Sequence, residues 1–588
     1  MIIISVCVLL TMVRAQPPRR IGARTSKFGQ YEGYSEPVYD EWVRTSQYLE
    51  MSDGVKLAVD IIRPAREGKP VEQPLPAVWV YYRYHRAREK DGKTLSLVDR
   101  IPSLQILIKH GYVIVVVDAR GTGASYGKDD KGPQSPADVR HVYEITEWLA
   151  RQPWGDGNVG MFGHSYSANI QFRAAAASPP HLKAIFPSMA SFDIYHIMYR
   201  GGVFADKIVQ EISRALHQWD IESQTAPVDE DTDGVMLAAA RDEHRQNADP
   251  YTFLKTYTYR NTDTNDLCFW IDNNLMTHIG EINDSRIPVY HWAGWYDFQV
   301  DDAFRWFTNL TVPQKLTVGP WSHGSHDWYE LLSVERLRWF DYWLKGIDNG
   351  IMDEPPLYYV VIEDPDTYTW YSTTTWPLSE SKNIPYYFHE GKSGSVQSVN
   401  DGTLSTTEPD GDRAYDTYLT DYSATSEDED MTMNNTKGLT YTTLPLEKSI
   451  TVIGHPVITL HVESTAEDGD FYVYLEEVDT NGTSRCLTDG ILRASHRTLF
   501  EPSFDNLGLP YHRHFEQDVK YLPQGKLATL RFDLLPISKV FKAGNRIRVT
   551  ITCADKSYTE ENRMDPPPTV TIHRSQQYPS HIVLPVVQ

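Results

Sequence analysis

The stretch that most constrains this chain is Gly157 to Asn169, GNVGMFGHSYSAN. Val159 to Phe162 is a short apolar run with strand character, Gly163 permits a tight turn, and Ser165 stands at its apex. Asn169, Ile170, Phe172 and the run Ala174 to Ala177 continue at helical spacing. A strand that turns sharply through a serine into a helix holds a hydroxyl above the end of a parallel sheet. Strand and helix approach closely there and call for small residues. Gly163 and Ala168 supply them, and Ser167 occupies the position of the second glycine in a G-x-S-x-G pattern. Ordinary turns match this pattern too, so residues downstream decide whether Ser165 is a nucleophile.

The flanking sequence builds the sheet such a turn needs. Strands are predicted at Val43 to Met51, Val55 to Ile62, Ala77 to Tyr82 and Tyr112 to Val117. The last is an unbroken β-branched run, suited to a strand buried on both faces. Val139, Val142, Ile145, Trp148 and Leu149 give a helix over Ala137 to Arg151 with one buried face. Leu182 to Pro187 follows as another buried strand, and the alternation predicts a doubly wound α/β sheet. It lapses from about 190 to 285 and resumes at Ile287 to Trp292 and Lys315 to Val318. An insert at that point lies over the carboxyl ends of the strands, as a cap. The helix Leu331 to Lys345 closes this part. After Pro355-Pro356, short alternating segments such as Ile458 to Val462, Phe471 to Leu475 and Ile547 to Ile551 predict an all-β jelly roll. The expected layout is a catalytic domain over 40–190 and 285–350, a helical cap over 191–284 and a jelly roll over 355–588. Residues 16 to 40, polar and rich in Arg and Gly, read as a loosely packed arm.

A serine hydroxyl is a weak nucleophile near neutral pH and needs a base within hydrogen-bond reach. The resumed strands lead into AGWYDFQ and GPWSHGSH, which set Asp297 and His323 just beyond strand ends. The order serine, acid, histidine is that of an α/β-hydrolase. His323 is the expected base, and Asp297 would fix its tautomer and stabilise the imidazolium. The backbone N–H of Tyr166, next after the nucleophile, would donate to the oxyanion, and VYYRYHR offers Tyr81, Tyr82 and Tyr84 for a second donor. His164 is expected to point away from the active face, and Asp118 and Arg120 to brace nearby loops. His323 and His326 form H-x-x-H, but Asp301-Asp302 complete no recognisable metal spacing, so neither metal nor cofactor is expected.

These motifs carry a specific resemblance. GHSY preceded by GNVGMF, GWYD (294–297) and GPWSH (319–323) together resemble the CocE/NonD family of serine hydrolases, a group related to Xaa-Pro dipeptidyl-peptidases and α-amino-acid ester hydrolases. DARG followed by Ser125, LKAIFPSMAS (182–191), DGILR (489–493) and PSHIVLP (579–585) extend the similarity from about residue 40 to the C-terminus. The resemblance implies an α/β-hydrolase with an inserted helical cap and a C-terminal jelly roll. It implies Ser165, Asp297 and His323 as the triad, and the Tyr84 phenol as the second oxyanion donor. The family's jelly roll is generally not catalytic. Gln299 stands where cocaine-esterase-like members carry an aromatic residue, which predicts a more polar acyl pocket. No acidic pair directly follows Asp297 to hold a substrate ammonium; Asp301 and Asp302 lie further along.

The expected activity is hydrolysis of a carboxylic ester or amide, in a small molecule or short peptide, through an acyl-enzyme. An ester hydrolase is the first reading and an Xaa-Pro dipeptidyl-peptidase its rival. A catalytically silent binding protein using the jelly roll is the alternative of another class. A net charge of −23 argues against a nucleic-acid partner. At the N-terminus, the apolar run Ile2 to Val13 with Ala15 before Gln16 resembles a signal peptide over 1–15, too short to span a membrane, although no Lys or Arg precedes the run. A secreted protein without a membrane span is expected, its oligomeric state open with a homodimer as one possibility. Cys268, Cys486 and Cys553 cannot all pair, though Cys486 and Cys553 could bridge. Asn283, Asn309, Asn434 and Asn481 stand in glycosylation sequons.

Overall fold

The computed structural model describes residues 26–31, 33–129, 135–222, 224–264, 267–325, 329–427 and 430–587. The segment read as a signal peptide and His326 lie outside the described residues. Strands β1 (Glu41–Glu50) and β2 (Lys56–Arg66) form an antiparallel pair. Next come β3 (Leu75–Tyr82), β4 (Val113–Asp118), β5 (Gly155–His164), β6 (Leu182–Ser188), β7 (Val289–Tyr296) and β8 (Gln314–Ser322). Their pairings give the order β1-β2-β4-β3-β5-β6-β7-β8, parallel from β4 onward and with β2 antiparallel to β4. This is an α/β-hydrolase sheet. Its strands feed two cores by simple alternation. Val113, Val115 and Val117 face one core with Trp79, Ile145 and Phe172, while Ile114 and Val116 face the other with Phe186, Trp339 and Phe340.

Helices cover both faces. Helix α1 (Pro136–Ala150) starts with Pro at its first turn and a capping box between Ser135 and Asp138. Helix α2 (Tyr166–Ala177) follows the serine turn. Between β6 and β7 lie α3 (Asp206–Glu222), α4 (Val235–His244) and α5 (Pro250–Thr256), and a separate small core joins Tyr195, Phe204, Val209, Leu254 and Trp270. This is the cap. Its sequence segment does not belong to it throughout. In α6 (Ile279–Ser285), Ile282 packs into the hydrolase core, as does Leu275 just before it. Helices α7 (Val300–Asn309) and α8 (Tyr329–Trp343) complete the hydrolase.

Strand β9 (Leu357–Asp364) extends the sheet beyond β8 and leads into the C-terminal all-β domain. That domain is built from β10 (Ser381–His389), β11 (Leu439–Thr442), β12 (Val457–Ser464), β13 (Asp470–Val478), β14 (Ser484–Arg493), β15 (Ala528–Asp533), β16 (Arg546–Thr552), β17 (Thr569–His573) and β18 (His581–Val587). One layer runs β11-β16-β13-β14. In the other, β12 pairs with β15 on one edge and with β17 and β18 on the other, and β10 lies beyond β18. Side chains of both layers share one core, in which Phe388 and Tyr441 stack at 4.0 Å. An ion pair and a hydrogen bond knit the parts together. Arg200 of the cap meets Asp489 at 2.7 Å, and Arg305 of α7 donates to Asn506 at 2.9 Å.

Two expectations change here. The described part of the N-terminal arm is firmly packed. Phe28 stacks on Tyr358 at 4.0 Å, Ser26 donates to the Asn349 carbonyl at 2.8 Å, and the Gly29 amide donates to Glu335 at 2.8 Å. Cys268, Cys486 and Cys553 are free thiols, so no bridge joins Cys486 to Cys553. No helix among the described residues is long and apolar enough to cross a membrane.

Candidate active site

Ser165 is the single residue between β5 and α2, and its backbone sits at φ 57°, ψ −120°. A serine held there costs about 1–3 kcal/mol, so its surroundings must hold it. They do. Its amide donates to the Ser188 carbonyl on β6 at 3.0 Å, and its carbonyl accepts from the Ala168 and Asn169 amides at 2.8 and 3.0 Å. The need for Gly163 is steric, since a Cβ there would lie 2.5 Å from the Ser167 carbonyl oxygen. Ser167, in place of a second glycine, is fully buried and donates to the Tyr81 carbonyl at 2.7 Å.

The neighbouring strand ends bring two partners to this hydroxyl. Asp297 follows β7 directly, and His323 follows β8. A register shift at Gly294–Tyr296 breaks the even β7–β8 pairing, and a Cβ at Gly294 would lie 2.2 Å from the Trp321 carbonyl oxygen. Such bulges re-aim the side chains that follow. His323 Nε2 lies 3.0 Å from Ser165 Oγ, and His323 Nδ1 lies 2.8 Å from Asp297 Oδ2. Asp297 is only 2% exposed, and its other oxygen accepts the Gln299 amide at 2.7 Å. The carboxylate is thus oriented from two sides, as an acid that fixes an imidazole must be.

The His323 ring has company that the sequence did not announce. The Phe298 ring lies 4.8 Å from it, and the His164 ring lies 4.7 Å from it. His164 therefore faces the site instead of pointing away. Strand alternation stops being a guide where the backbone enters the turn at Ser165.

Of Tyr81 and Tyr82 at the end of β3 and Tyr84 just beyond it, Tyr84 hydrogen-bonds Ser165. Its hydroxyl hydrogen-bonds the Ser165 side chain and accepts the Tyr166 backbone amide. Burial pushes this phenol above its ordinary value, and those hydrogen bonds together with the Arg83 charge pull the other way. The net shift is upward, so the phenol keeps its proton at neutral pH. The Tyr84 ring packs edge-on against Trp219 of α3 at 5.8 Å and against Tyr82 at 5.3 Å. Arg83 ties this loop to the cap, meeting Asp220 at 3.1 Å and Asp129 at 3.0 Å. Tyr81 is occupied elsewhere, donating to Asp138 at 2.7 Å and accepting the Arg120 amide at 2.9 Å.

Gln299 is satisfied at one end only, since its side-chain oxygen is buried without a hydrogen-bond partner among the described residues. It is buried, and its amide nitrogen donates to Ser191 Oγ at 2.8 Å, where Asn169 of α2 also donates at 3.0 Å. Asp301 and Asp302 turn inward. Burial works to raise Asp301, yet the Arg305 guanidinium outweighs it and keeps that carboxylate charged. Asp302 is pushed well up by burial and by Asp301 beside it. Asp118 accepts the Arg86 and Ala124 amides at 2.6 and 2.9 Å, and Arg120 meets Asp53 at 2.8 Å, so both brace loops. Among the described residues no group of His, Cys, Asp and Glu is arranged to hold a metal.

Among known proteins, the X-Pro dipeptidyl-peptidase (S15 family) model matches residues 53–325, and that of the X-Pro dipeptidyl-peptidase C-terminal non-catalytic domain matches 349–583. The chain is 31% identical over 628 residues to a Mycobacterium bovis protein assigned as a serine esterase, covering 94% of this chain and 96% of that one. It is 28% identical to the cocaine esterase of a Rhodococcus species, covering 93% and 99% of the two chains. A solved CocE/NonD family hydrolase from Staphylococcus aureus superposes with a TM-score of 0.72 at 20% identity, covering 93% and 94%. At that identity the likeness speaks for the fold.

Proposed function

This chain belongs to the X-Pro dipeptidyl-peptidase (S15) family, as a serine hydrolase of the CocE/NonD type, and we propose that it cleaves carboxylic esters through an acyl-enzyme on Ser165. The hydrogen-bonded chain from Ser165 through His323 to Asp297 carries this reading. Ser165 Oγ attacks the ester carbonyl while His323 Nε2 takes its proton, and Asp297 stabilises the imidazolium through Nδ1. The tetrahedral oxyanion receives the Tyr166 N–H, at the first turn of α2, and the Tyr84 O–H. His323 then returns the proton to the departing alkoxide. A water, deprotonated by the same nitrogen, releases the acid and restores Ser165.

Esters are favoured over peptides by what surrounds the site. Its neighbours are the rings of Phe298 and Trp219, whereas Asp301 is paired with Arg305. A dipeptidyl-peptidase would need a carboxylate free to receive the substrate's amine. Family membership makes that peptidase the second reading. A fluorophosphonate probe is expected to label Ser165 and to leave Ser165→Ala unlabelled. Aryl esters should be turned over faster than Xaa-Pro anilides. Faster anilide cleavage would move the assignment to the peptidase, and labelling that persists in Ser165→Ala would remove Ser165 as nucleophile.

We also read the C-terminal domain as a jelly roll, supported by two antiparallel layers on one core, and the protein as secreted, supported by the apolar run Ile2 to Val13. Of the four sequons, Asn481 alone lies exposed in a turn, while Asn434 is buried and Asn283 and Asn309 hydrogen-bond through their side-chain amides. Export would give a mature chain beginning near Gln16 with a glycan at Asn481, which mass spectrometry of the secreted protein reads directly.

A further inference from the structure

Helix α3 carries Ile208, Ile212, Ala215 and Trp219 at i, i+4, i+7 and i+11, the spacing of one helix face. A different face binds the helix to the cap. There Val209 is buried, Asp206 accepts from Tyr251 at 2.6 Å, Ser213 bonds Asp249, and Asp220 meets Arg83. The apolar face is left largely open, with Ile208 43% and Ile212 41% exposed and Ala215 and Trp219 half-buried. It ends on the catalytic machinery, because Trp219 packs on Tyr84 and Tyr84 bonds Ser165.

We propose that this stripe is the binding wall for the apolar chain of the substrate, so that the enzyme acts on esters carrying a medium-length aliphatic acyl or alcohol group. The inference rests on the ester-hydrolase reading above. What commits the stripe to substrate is its continuity with Tyr84. A chain attached to a carbonyl held between Ser165 and Tyr84 meets Trp219 first and Ile212 about 10 Å further along, seven residues at 1.5 Å each. That length suits a chain of about eight carbons. Each methylene laid on such a one-sided wall gains roughly half the free energy of full burial, or about twofold in kcat/KM.

The test is a p-nitrophenyl ester series from acetate to decanoate on the full chain, with Ile212→Glu, Ile212→Ala and, as a control on another helix, Val235→Glu. In the wild type kcat/KM should rise about twofold per methylene to about eight carbons. The octanoate-to-acetate ratio should fall at least tenfold in Ile212→Glu, less in Ile212→Ala, and not in Val235→Glu. A kcat/KM that is flat from acetate to decanoate in the wild type overturns the stripe and leaves the hydrolase reading standing. Hydrolysis of no ester at all overturns both. If Ile212→Glu keeps the ratio but turns a dimer into a monomer by light scattering, a second copy covers the stripe and the proposal falls.

Discussion

The imidazole rings of His164 and His323 lie 4.7 Å apart and tilted by 49°. With Phe298 also on the His323 ring, the proposed base is braced by rings from the last residue of β5 and from the turn after β7. A base acts only when its nitrogen is aimed at the proton it takes, so this contact should matter to turnover. His164→Ala is expected to lower kcat about tenfold, or about 1.4 kcal/mol, the upper range for an aromatic pair. His164→Phe should restore most of it. Equal kcat in all three proteins, measured on one aryl ester, would show that the ring contact does not hold the base.

Arg83 and Asp220 join the Tyr84 loop to the cap in a pair where both side chains are under a tenth exposed. Removing one partner from a buried pair costs about 3–5 kcal/mol. Asp129 retains a second hold on Arg83, which sets the expectation for Asp220→Ala near 3 kcal/mol. Urea unfolding of Asp220→Ala, Arg83→Ala and the double variant gives the coupling. Additive losses would mean that the two charges do not support each other.

His496 Nδ1 and His514 Nδ1 face each other at 3.0 Å, with Tyr259 of the cap stacked on His496 at 5.9 Å and Tyr195 beside His514 at 5.4 Å. One nitrogen must donate and the other accept, so at least the accepting ring must be neutral. Burial lowers His496 to about 4, helped by Arg493 and His512 and opposed by Asp470 and Asp518. Burial also pushes His514 well below its usual range, helped by His496, His512, Arg260 and His196. The unfolded chain takes these protons near pH 6.5, the folded one only at lower pH. Stability is therefore full above about pH 6.5 and is lost as pH falls toward 4, on the order of 3 kcal/mol from His496 alone. His496→Gln should flatten this loss between pH 6.5 and 4.5, which urea midpoints at the two pH values would show.

What could be read from the sequence divides along a physical line. The positions of Ser165, Asp297 and His323 are legible because each stands directly after a hydrophobic strand, where a parallel sheet presents its loops. The sheet itself was legible for the same reason, since Val113 to Val117 can only be a strand buried on both faces. Trp219 carried no signal. Its place over Tyr84 depends on how the cap folds back on this loop, where the neighbouring Arg83 and Asp220 pair. For Gln299 the sequence shows the residue type but not that Ser191 holds its amide nitrogen. The arm reads as loose because its composition is polar, although Phe28 docks on Tyr358, Tyr31 packs on His110 and Tyr39 is buried.

Tyr84 and Tyr81 provide the sharpest contrast, being near neighbours of one residue type in one segment. Tyr84→Phe keeps the ring against Trp219 and Tyr82 and removes only the hydroxyl that hydrogen-bonds Ser165 and the Tyr166 amide. Loss of one oxyanion donor typically costs 10²–10³ in kcat, about 3–4 kcal/mol. Because that donor acts on charge that develops only in the transition state, KM should change little. Tyr81→Phe leaves the Asp138 carboxyl and the Arg120 amide short of a partner inside the fold. Its expected effect is on stability, a loss of about 1–3 kcal/mol, with kcat within a few-fold of wild type. Steady-state kinetics and urea midpoints on the two variants separate the roles. A kcat preserved in Tyr84→Phe would leave the Tyr166 amide to carry the oxyanion without the phenol.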